Sequence, residues 1–414
     1  GGEVAVYKNL LSTALRTWPR PTSTIVDRII KMLLWMEGRL QGVPQRRSGR
    51  MSRQRATSAW RARAFDADFM SNVYEKPFEV VYCDQVPAEK SNPQAVGRHL
   101  GGCRIGFDAG GSDRKVSAVI DGEPVFSEEV VWFPKTTSDP DYHYEGIVSA
   151  LKAAAEHMPR VDAVGVSSAG IYIENRTMVA SLFLKVSKED FDAKVKDIYI
   201  RAIRDTFGDV PYVVANDGDV SALAGAMSLE EDNILGIAMG TSEAVGYVDA
   251  NGNITGWLNE LAFAPVDVSP NAMEDEWSGD IGCGVKYFSQ DSVIKLAPAA
   301  GISLSADLSP AEKLKEVQKL MDQGGSPAEA IYRSIGVYLG HSLALYHHFY
   351  GFKHVLLLGR VMSGRGGDII LDTCKKVLAD EYPEVAGLMN PTLPDEKARR
   401  VGQSVAAASL PELR

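Results

Sequence analysis

From Arg104 onward the chain alternates short apolar runs with glycine, asparagine and aspartate turns. "RIGFDA" and "KVSAVI" flank "GGSDR", and the second run alternates apolar and polar positions, which predicts an antiparallel hairpin around a glycine turn. "EPVFSEEVVWF" predicts a third strand. "YHYEGIVSALKAAAEHM" places Ile147, Leu151 and Ala154 on one helical face, and "VDAVGVSSAG" is a buried strand ending in small residues. "KEDFDAKVKDIYIRAIRDTFG" predicts one amphipathic helix, with Phe191, Val195, Ile198 and Ile203 near 3.6 spacing and Gly208 at its end. "VPYVVAND" follows as a strand and "VSALAGAM" as a helix of small residues. "ILGIAMGTSEAVGYVDANGNITG" predicts two strands joined by an Asn251–Gly252 turn. Two copies of "SPAE", starting at Ser309 and Ser326, read as helix starts, with an N-cap serine, proline at the first helical position and a closing glutamate. A long apolar helix, the strand "HVLLLG", the helix "GGDIILDTCKKVLADEY" and a last helix near 396–408 complete an α/β pattern of layered sheets.

Composition adds little to this picture, and charge adds more. At 414 residues, 45% hydrophobic and 24% charged, the chain is an ordinary globular protein able to bury two or three cores. No apolar run approaches the ~18–20 residues needed to cross a bilayer; "IIKMLLWM" is short and carries Lys31. No secretory leader is visible, although the chain does not begin with Met. Cys83, Cys103, Cys283 and Cys374 are scattered without a CxxC, which fits free thiols in a reducing cytoplasm. The net charge of −10 is unevenly spread: residues 1–100 hold 16 Lys and Arg against 9 Asp and Glu, and the remainder holds 28 against 45. The positive density peaks in "QRRSGRMSRQRATSAWRAR", residues 45–63. Such an arm suits nucleic acid, but it equally suits a helical extension packed on the acidic body or on a second subunit. No base-reading module is legible. "RPTSTIVDRIIKMLLWMEG" could be one helix of a winged-helix fold, without a recognition helix before it. The expectation is therefore a mainly helical extension, no nucleic acid and no membrane.

Four glycine-rich or acidic turns stand at predicted strand ends, where open α/β sheets bind ligands: "DAGGSDRK" (108–115), "ANDGDVSALAGA" (215–226), "MGTSEAVG" (239–246) and "LGRVMSGRGG" (358–367). Singly each has a plain structural reading. Gly110–Gly111 is a hairpin turn, and Asn216–Asp217 is a helix cap. Together, and in the light of the family resemblance these segments carry, they read as machinery for phosphoryl transfer, which needs a phosphate cradle, Mg²⁺ and a carboxylate near the attacking hydroxyl. In that reading Gly110, Gly111 and Ser112, with Gly240, Thr241 and Ser242, form two facing cradles and Lys115 joins the first. Asp108 suits Mg²⁺ through water, and Asp217 is the base. Asn216 orients a second hydroxyl, while Gly359 and Gly364 let a nucleotide approach the backbone.

These segments carry a resemblance. From about Arg104 to the end the chain resembles the ASKHA superfamily, the sugar kinase, heat-shock chaperone and actin group, and within it the ROK family of bacterial sugar kinases and related repressors. "IGFDAGGS" and "IAMGTSEAVGYV" look like the two phosphate motifs, "VVANDGDVSALAGA" like the strand–Asn-Asp–helix segment, and "LALYHHFYGFKHVLLLGRVMSG" like the segment beside the adenosine. The resemblance implies a two-lobed, ribonuclease H-like α/β fold with a repeated sheet-and-helix core. The expected lobes are 101–222 and 223–414, after the extension at 1–100. It also implies ATP and Mg²⁺, a small sugar-like substrate met by Glu260, Gly170 and Asn216, a cytoplasmic protein and a homodimer.

The departures from the family pattern are specific. Phe263 stands where the family has its sugar-binding, zinc-ligating His, and Val285 where a sugar-contacting Glu belongs. Of the cysteine cluster only Cys283 remains, with Glu276 and Ser278 at other positions, so no structural zinc is expected. Arg360 replaces a usual glycine. The loop 267–283 is expected to be held by Trp257, Phe263 and Trp277, with "EDE" (274–276) facing water or a cationic substrate group. Besides the kinase, two readings stay open: a ROK-type sugar-sensing regulator, and an ATPase or inactive protein of the same fold.

Overall fold

The computed structural model describes residues 71–77, 97–257, 259–269, 271–276, 278–324, 326–394 and 396–413. Most of the expected N-terminal extension, its basic arm included, and Trp277 lie outside the described residues. The first lobe runs β1 (Cys103–Ala109), β2 (Asp113–Ile120), β3 (Glu123–Val131), α1 (Pro140–Ala155), β4 (Ala163–Ser168), β5 (Ile171–Ile173), β6 (Arg176–Val179), α2 (Ile198–Phe207) and β7 (Tyr212–Asn216). Then come α3 (Asp217–Leu229), β8 (Ile234–Met239), β9 (Glu243–Val248), α4 (Gln290–Leu296), α5 (Pro310–Asp322), α6 (Ser326–Tyr350), β10 (His354–Leu358), α7 (Gly364–Glu381), β11 (Asn390–Thr392) and α8 (Glu396–Ala408).

The two main sheets repeat one plan. The first has the order β3-β2-β1-β4-β7 and the second β11-β10-β8-β9. In each, a central strand pairs antiparallel with the next strand in sequence and parallel with a later one. Among the described residues the second sheet has no counterpart of β3, and β9 is followed by an isolated bridge, Val248 to Ile254. This corrects one expectation: the hairpin between "ILGIAM" and "EAVGYV" turns at residues 240–242, and the Asn251–Gly252 turn serves that lone bridge instead.

Every residue of β1 and β4 is buried, so the first sheet is covered on both faces. One face packs on α1 and α2 through Ile147, Leu151, Ile198 and Ile203. The other receives α8 from the far end of the chain. Gly106 and Gly165 pair in register on β1 and β4. A Cβ at those positions would stand 1.7 Å from the Ser404 carbonyl oxygen and 1.6 Å from that of Ala407. Only glycine admits a helix backbone that close. Helices α3 and α8 thus share a small core between the sheets, built from Val220, Leu223, Ile234, Leu356, Ala406 and Ala407. Packing therefore crosses the 222/223 division expected from the strand pattern. The second lobe has its own core, where Tyr332, Ile335, Leu339 and Leu343 of α6 meet Ile370, Cys374 and Leu378 of α7.

The helix expected across 188–208 is interrupted. A short helix at Lys188–Asp190 passes into a π-turn at Phe191–Val195, and α2 begins only at Ile198. The Lys196 carbonyl accepts from the Thr177 N–H at 2.8 Å, so β6 takes a bond that a continuous helix would need. The capping box expected at Ser309 forms with Glu312. The described piece of the extension docks on the first lobe: Val73 packs with Ile171 and Met178. Glu75 pairs with Lys196 at 2.8 Å and with Arg176 at 3.5 Å.

Candidate active site

Strand β1 ends at the centre of the cleft face. Asp108 lies opposite Lys115 on β2 and Ser167 on β4, and accepts a hydrogen bond from the Ser167 hydroxyl at 2.9 Å. It is 9% exposed. Burial pushes its carboxyl up to about 7 against that hydrogen bond, and the Asp217 charge adds to the rise. The turn after it is built tightly. Trp132 donates from Nε1 to the Gly110 carbonyl at 2.7 Å and from its N–H to the Ser112 carbonyl at 3.2 Å. A Cβ on Gly110 would lie 2.6 Å from the Asp113 carbonyl oxygen, and one on Gly111 would lie 2.7 Å from Cε of Lys135. Among the described residues, the N–H groups of Gly110, Gly111 and Ser112 donate to nothing in the chain. Bare amides at a strand end, a buried carboxylate beside them and a Gly110 that the Asp113 backbone closes to any larger residue fit a phosphate with its metal.

The base candidate sits one strand away. Asn216, closing β7, caps α3 by accepting from the Gly218 N–H at 2.8 Å, and its Nδ2 donates to the Gly170 carbonyl at 2.8 Å. Both ends of that amide are engaged within the chain, leaving one N–H of Nδ2 for a ligand. With the cap supplied by Asn216, the neighbouring Asp217 carboxyl is freed from capping and accepts from the Gly218 N–H at 3.0 Å. Burial raises the Asp217 carboxyl, opposed by backbone hydrogen bonds and by the charge of Lys135. Glu260 belongs to the same group. Burial pushes it up to about 8, helped by the charges of Asp217 and Asp219. Asp219 is fastened to the adjacent Asn259 side chain at 2.9 Å, which ties the Glu260 loop to α3. Phe263 packs with Ala262, Cys283 and Val285.

The second turn is looser. The Gly240 N–H is used by the Ser242 carbonyl at 2.9 Å, Thr241 and Ser242 are exposed, and a Cβ on Gly240 would meet nothing closer than 3.8 Å. Glu243 beyond it is 5% exposed, with no hydrogen bond to either carboxyl oxygen. Burial, and then the Glu260 charge, raise its pKa well above the ordinary carboxylate value. Gly359 has φ +94° and lies against the Met239 backbone, where a Cβ would stand 2.3 Å from the carbonyl oxygen. A cavity of ≈ 290 Å³ opens between the lobes, lined by Asp108, Lys115, Ala238, Gly359 and Arg360. Gln403 and Ser404 of α8 also line it. Gln403 donates to the Ser167 hydroxyl at 3.0 Å and to the Asp217 carbonyl at 3.3 Å. Arg360 reaches across the cleft to Ser112 at 3.1 Å and Asp113 at 2.9 Å. Gly364 opens α7 with φ +63° and no near neighbour.

The loop 267–283 is held in part as expected, by Phe263 against Cys283, and in part by charge. Trp257 stacks on Tyr247 in the second core, with centroids 5.7 Å apart. Glu274 and Glu276 face water as expected, whereas Asp275 is buried. Asp275 and Glu276 both meet the ammonium of Lys286, which also bonds Asp291 at 2.9 Å. Tyr287 donates to Asp267 at 2.6 Å. Of the positions that resemble the family's zinc site, Glu276 pairs with Lys286, while Phe263 and Cys283 pack in an apolar cluster. Burial, with nearby carboxylates, pushes the Cys283 thiol up to about 12.

Sequence reasoning missed Trp132, Lys135, Ser167, Lys286 and Gln403. None lies in a glycine motif, and each enters through strand pairing or a helix from elsewhere in the chain. No protein-family model matches the chain, and no curated protein sequence matches it either. Solved structures do. A ROK family glucokinase from Streptomyces griseus, determined with glucose and AMPPNP, is 19% identical with a TM-score of 0.57, covering 74% of this chain and 98% of that one. A ROK hexokinase from Thermus thermophilus is 17% identical with a TM-score of 0.55, covering 74% and 96%. A ROK family transcriptional regulator, a homologue of the E. coli MLC protein, is 15% identical with a TM-score of 0.56, covering 87% and 89%. The described chain therefore shares the fold of these ROK-family kinase and regulator structures.

Proposed function

We propose that this chain is an ATP- and Mg²⁺-dependent kinase acting on a hydroxyl of a sugar or sugar-like small molecule. The observation that carries the proposal is Asp217: a carboxyl released from capping duty, raised by burial, and gathered with Asp108 and Glu260 beside an amide-lined glycine turn. Gly110, Gly111 and Ser112 present bare N–H groups to phosphate oxygens. Asp108, with one oxygen fixed by Ser167, is the residue to hold Mg²⁺. When bound, the metal neutralises phosphate charge. Asp217 accepts the proton of the attacking hydroxyl. Its raised pKa suits a base working near neutral pH. Glu260 and the remaining Nδ2–H of Asn216 hold neighbouring hydroxyls. With Phe263 and Val285 in place of polar groups, the pocket floor selects a smaller or less polar ligand than a hexose. The test is a coupled ADP-release assay with Mg·ATP against a panel of sugars and polyols. Turnover of at least one acceptor is expected, and absence of Mg·ATP binding by calorimetry at high protein concentration would end this reading.

A second reading has one observation in its favour. The regulator's match spans 87% of this chain, against 74% for the kinases, and residues 1–100 are basic. If the arm reads DNA, full-length protein will retard a specific duplex at physiological salt, with affinity falling steeply as salt rises. We expect only weak, sequence-independent retardation.

A further inference from the structure

Lys135 belongs to none of the glycine motifs, yet the fold delivers it to their centre. It sits in a short turn, Pro134–Thr136, whose start is clamped twice. Trp132, 1% exposed, is bonded to Gly110 and Ser112 on one side. On the other, Nε2 of the buried His143 lies 3.0 Å from the Pro134 carbonyl oxygen. The clamp lays the lysine side chain across Gly111, so that a Cβ there would stand 3.1 Å from Nζ. The same ammonium faces Asp217, whose charge opposes the effect of burial on Lys135. Among the described residues no carboxylate lies within 4.0 Å of Lys135, and no hydrogen bond holds its Nζ. A half-buried ammonium lacking a counter-ion is unfavourable unless a ligand provides one. Here it stands between the turn that receives phosphate and the acid that receives the proton.

We propose that Lys135 is a further catalytic residue, its ammonium contacting the phosphoryl group as it passes from nucleotide to substrate. This rests on the kinase reading above. In the step, the substrate oxygen bonds to the γ-phosphorus as the bridging P–O bond breaks. The electron pair leaves on ADP, the hydroxyl proton goes to Asp217, and Lys135 keeps its own proton throughout. The ammonium offsets negative charge on the oxygens of the moving group, where fixed charge counts most. It has no part in holding ADP.

Calorimetry with Mg·ADP and Mg·AMPPNP, on wild type, Lys135→Met and Lys135→Gln, tests this without requiring a known acceptor. Wild type should bind AMPPNP more tightly than ADP. Both variants should lose about tenfold or more of that preference, the worth of one charge-assisted hydrogen bond, with ADP affinity unchanged. Lys135→Arg should restore part of it. Once an acceptor is known, Lys135→Met should lower kcat by about 10²–10³. Melting curves identify a variant that fails to fold, and the other then carries the test. An unchanged AMPPNP preference in a folded variant, or an equal loss of both nucleotides, overturns the inference and leaves the kinase reading standing. A wild type that binds neither nucleotide removes the kinase reading, and this inference with it.

Discussion

Two groups of acids lie on either side of the Glu260 segment, and the chain treats them in opposite ways. In the loop group, Asp275, Glu276 and Asp291 converge on Lys286, whose side chain is 4% exposed. Hydrogen bonding to that ammonium holds Glu276 below the usual carboxylate range. In the cleft group, burial pushes Asp108 and Asp219 up to about 7 and Glu260 up to about 8, and only Lys115 and Lys135 bring positive charge near. Acids that hold structure receive a cation from the chain. The acids of the cleft are left to ligands, which is how a site can keep carboxyls able to take protons and metal.

The comparison can be broken most sharply at Asp217. Asp217→Asn should lower turnover about 10²–10⁴-fold, the usual cost of removing a general base, while the melting temperature and nucleotide affinity hold. Near wild-type kcat would place Asp217 with the structural acids. Next in size is Lys286→Met, which leaves buried Asp275 without its cation. Breaking such a pair typically costs about 3–5 kcal/mol. The low end is expected here because the Glu276 side chain is 81% exposed. Urea titration measures it, and a loss below about 1 kcal/mol would mean that the loop stands without Lys286. The smallest effect is a pH slope. Carboxyls raised in the folded state keep protons that the unfolded chain has lost, so stability declines as pH rises from the ordinary carboxylate range towards 7–8. Thermal melts in metal-free buffer should fall across that window, and Asp219→Asn should flatten the slope. A slope of the opposite sign would show the cleft acids to be paired after all.

Much of this was legible locally. The hairpin at Gly110–Gly111, the cap at Asn216 and the capping box at Ser309 each depend on a few consecutive residues. The same local reading failed at 188–208, where a carbonyl is captured by β6, and at Asn251–Gly252, where a good turn pair has no second strand to serve. It failed again within the loop 267–283, where Asp275, expected to face water or substrate, is buried against Lys286, eleven positions further on.

By itself the sequence determined the strand ends, the glycine turns and the acids they carry, because backbone conformation, caps and turns are decided within a few residues. Only the tertiary structure decided which charges meet. Lys135 reaches Gly111 and Asp217 because a buried tryptophan and histidine clamp its turn. Gln403 reaches Ser167 and Asp217 because paired glycines on β1 and β4 admit the last helix. Such meetings depend on strand order and on close approach between elements far apart in the chain, and no short stretch of sequence encodes either.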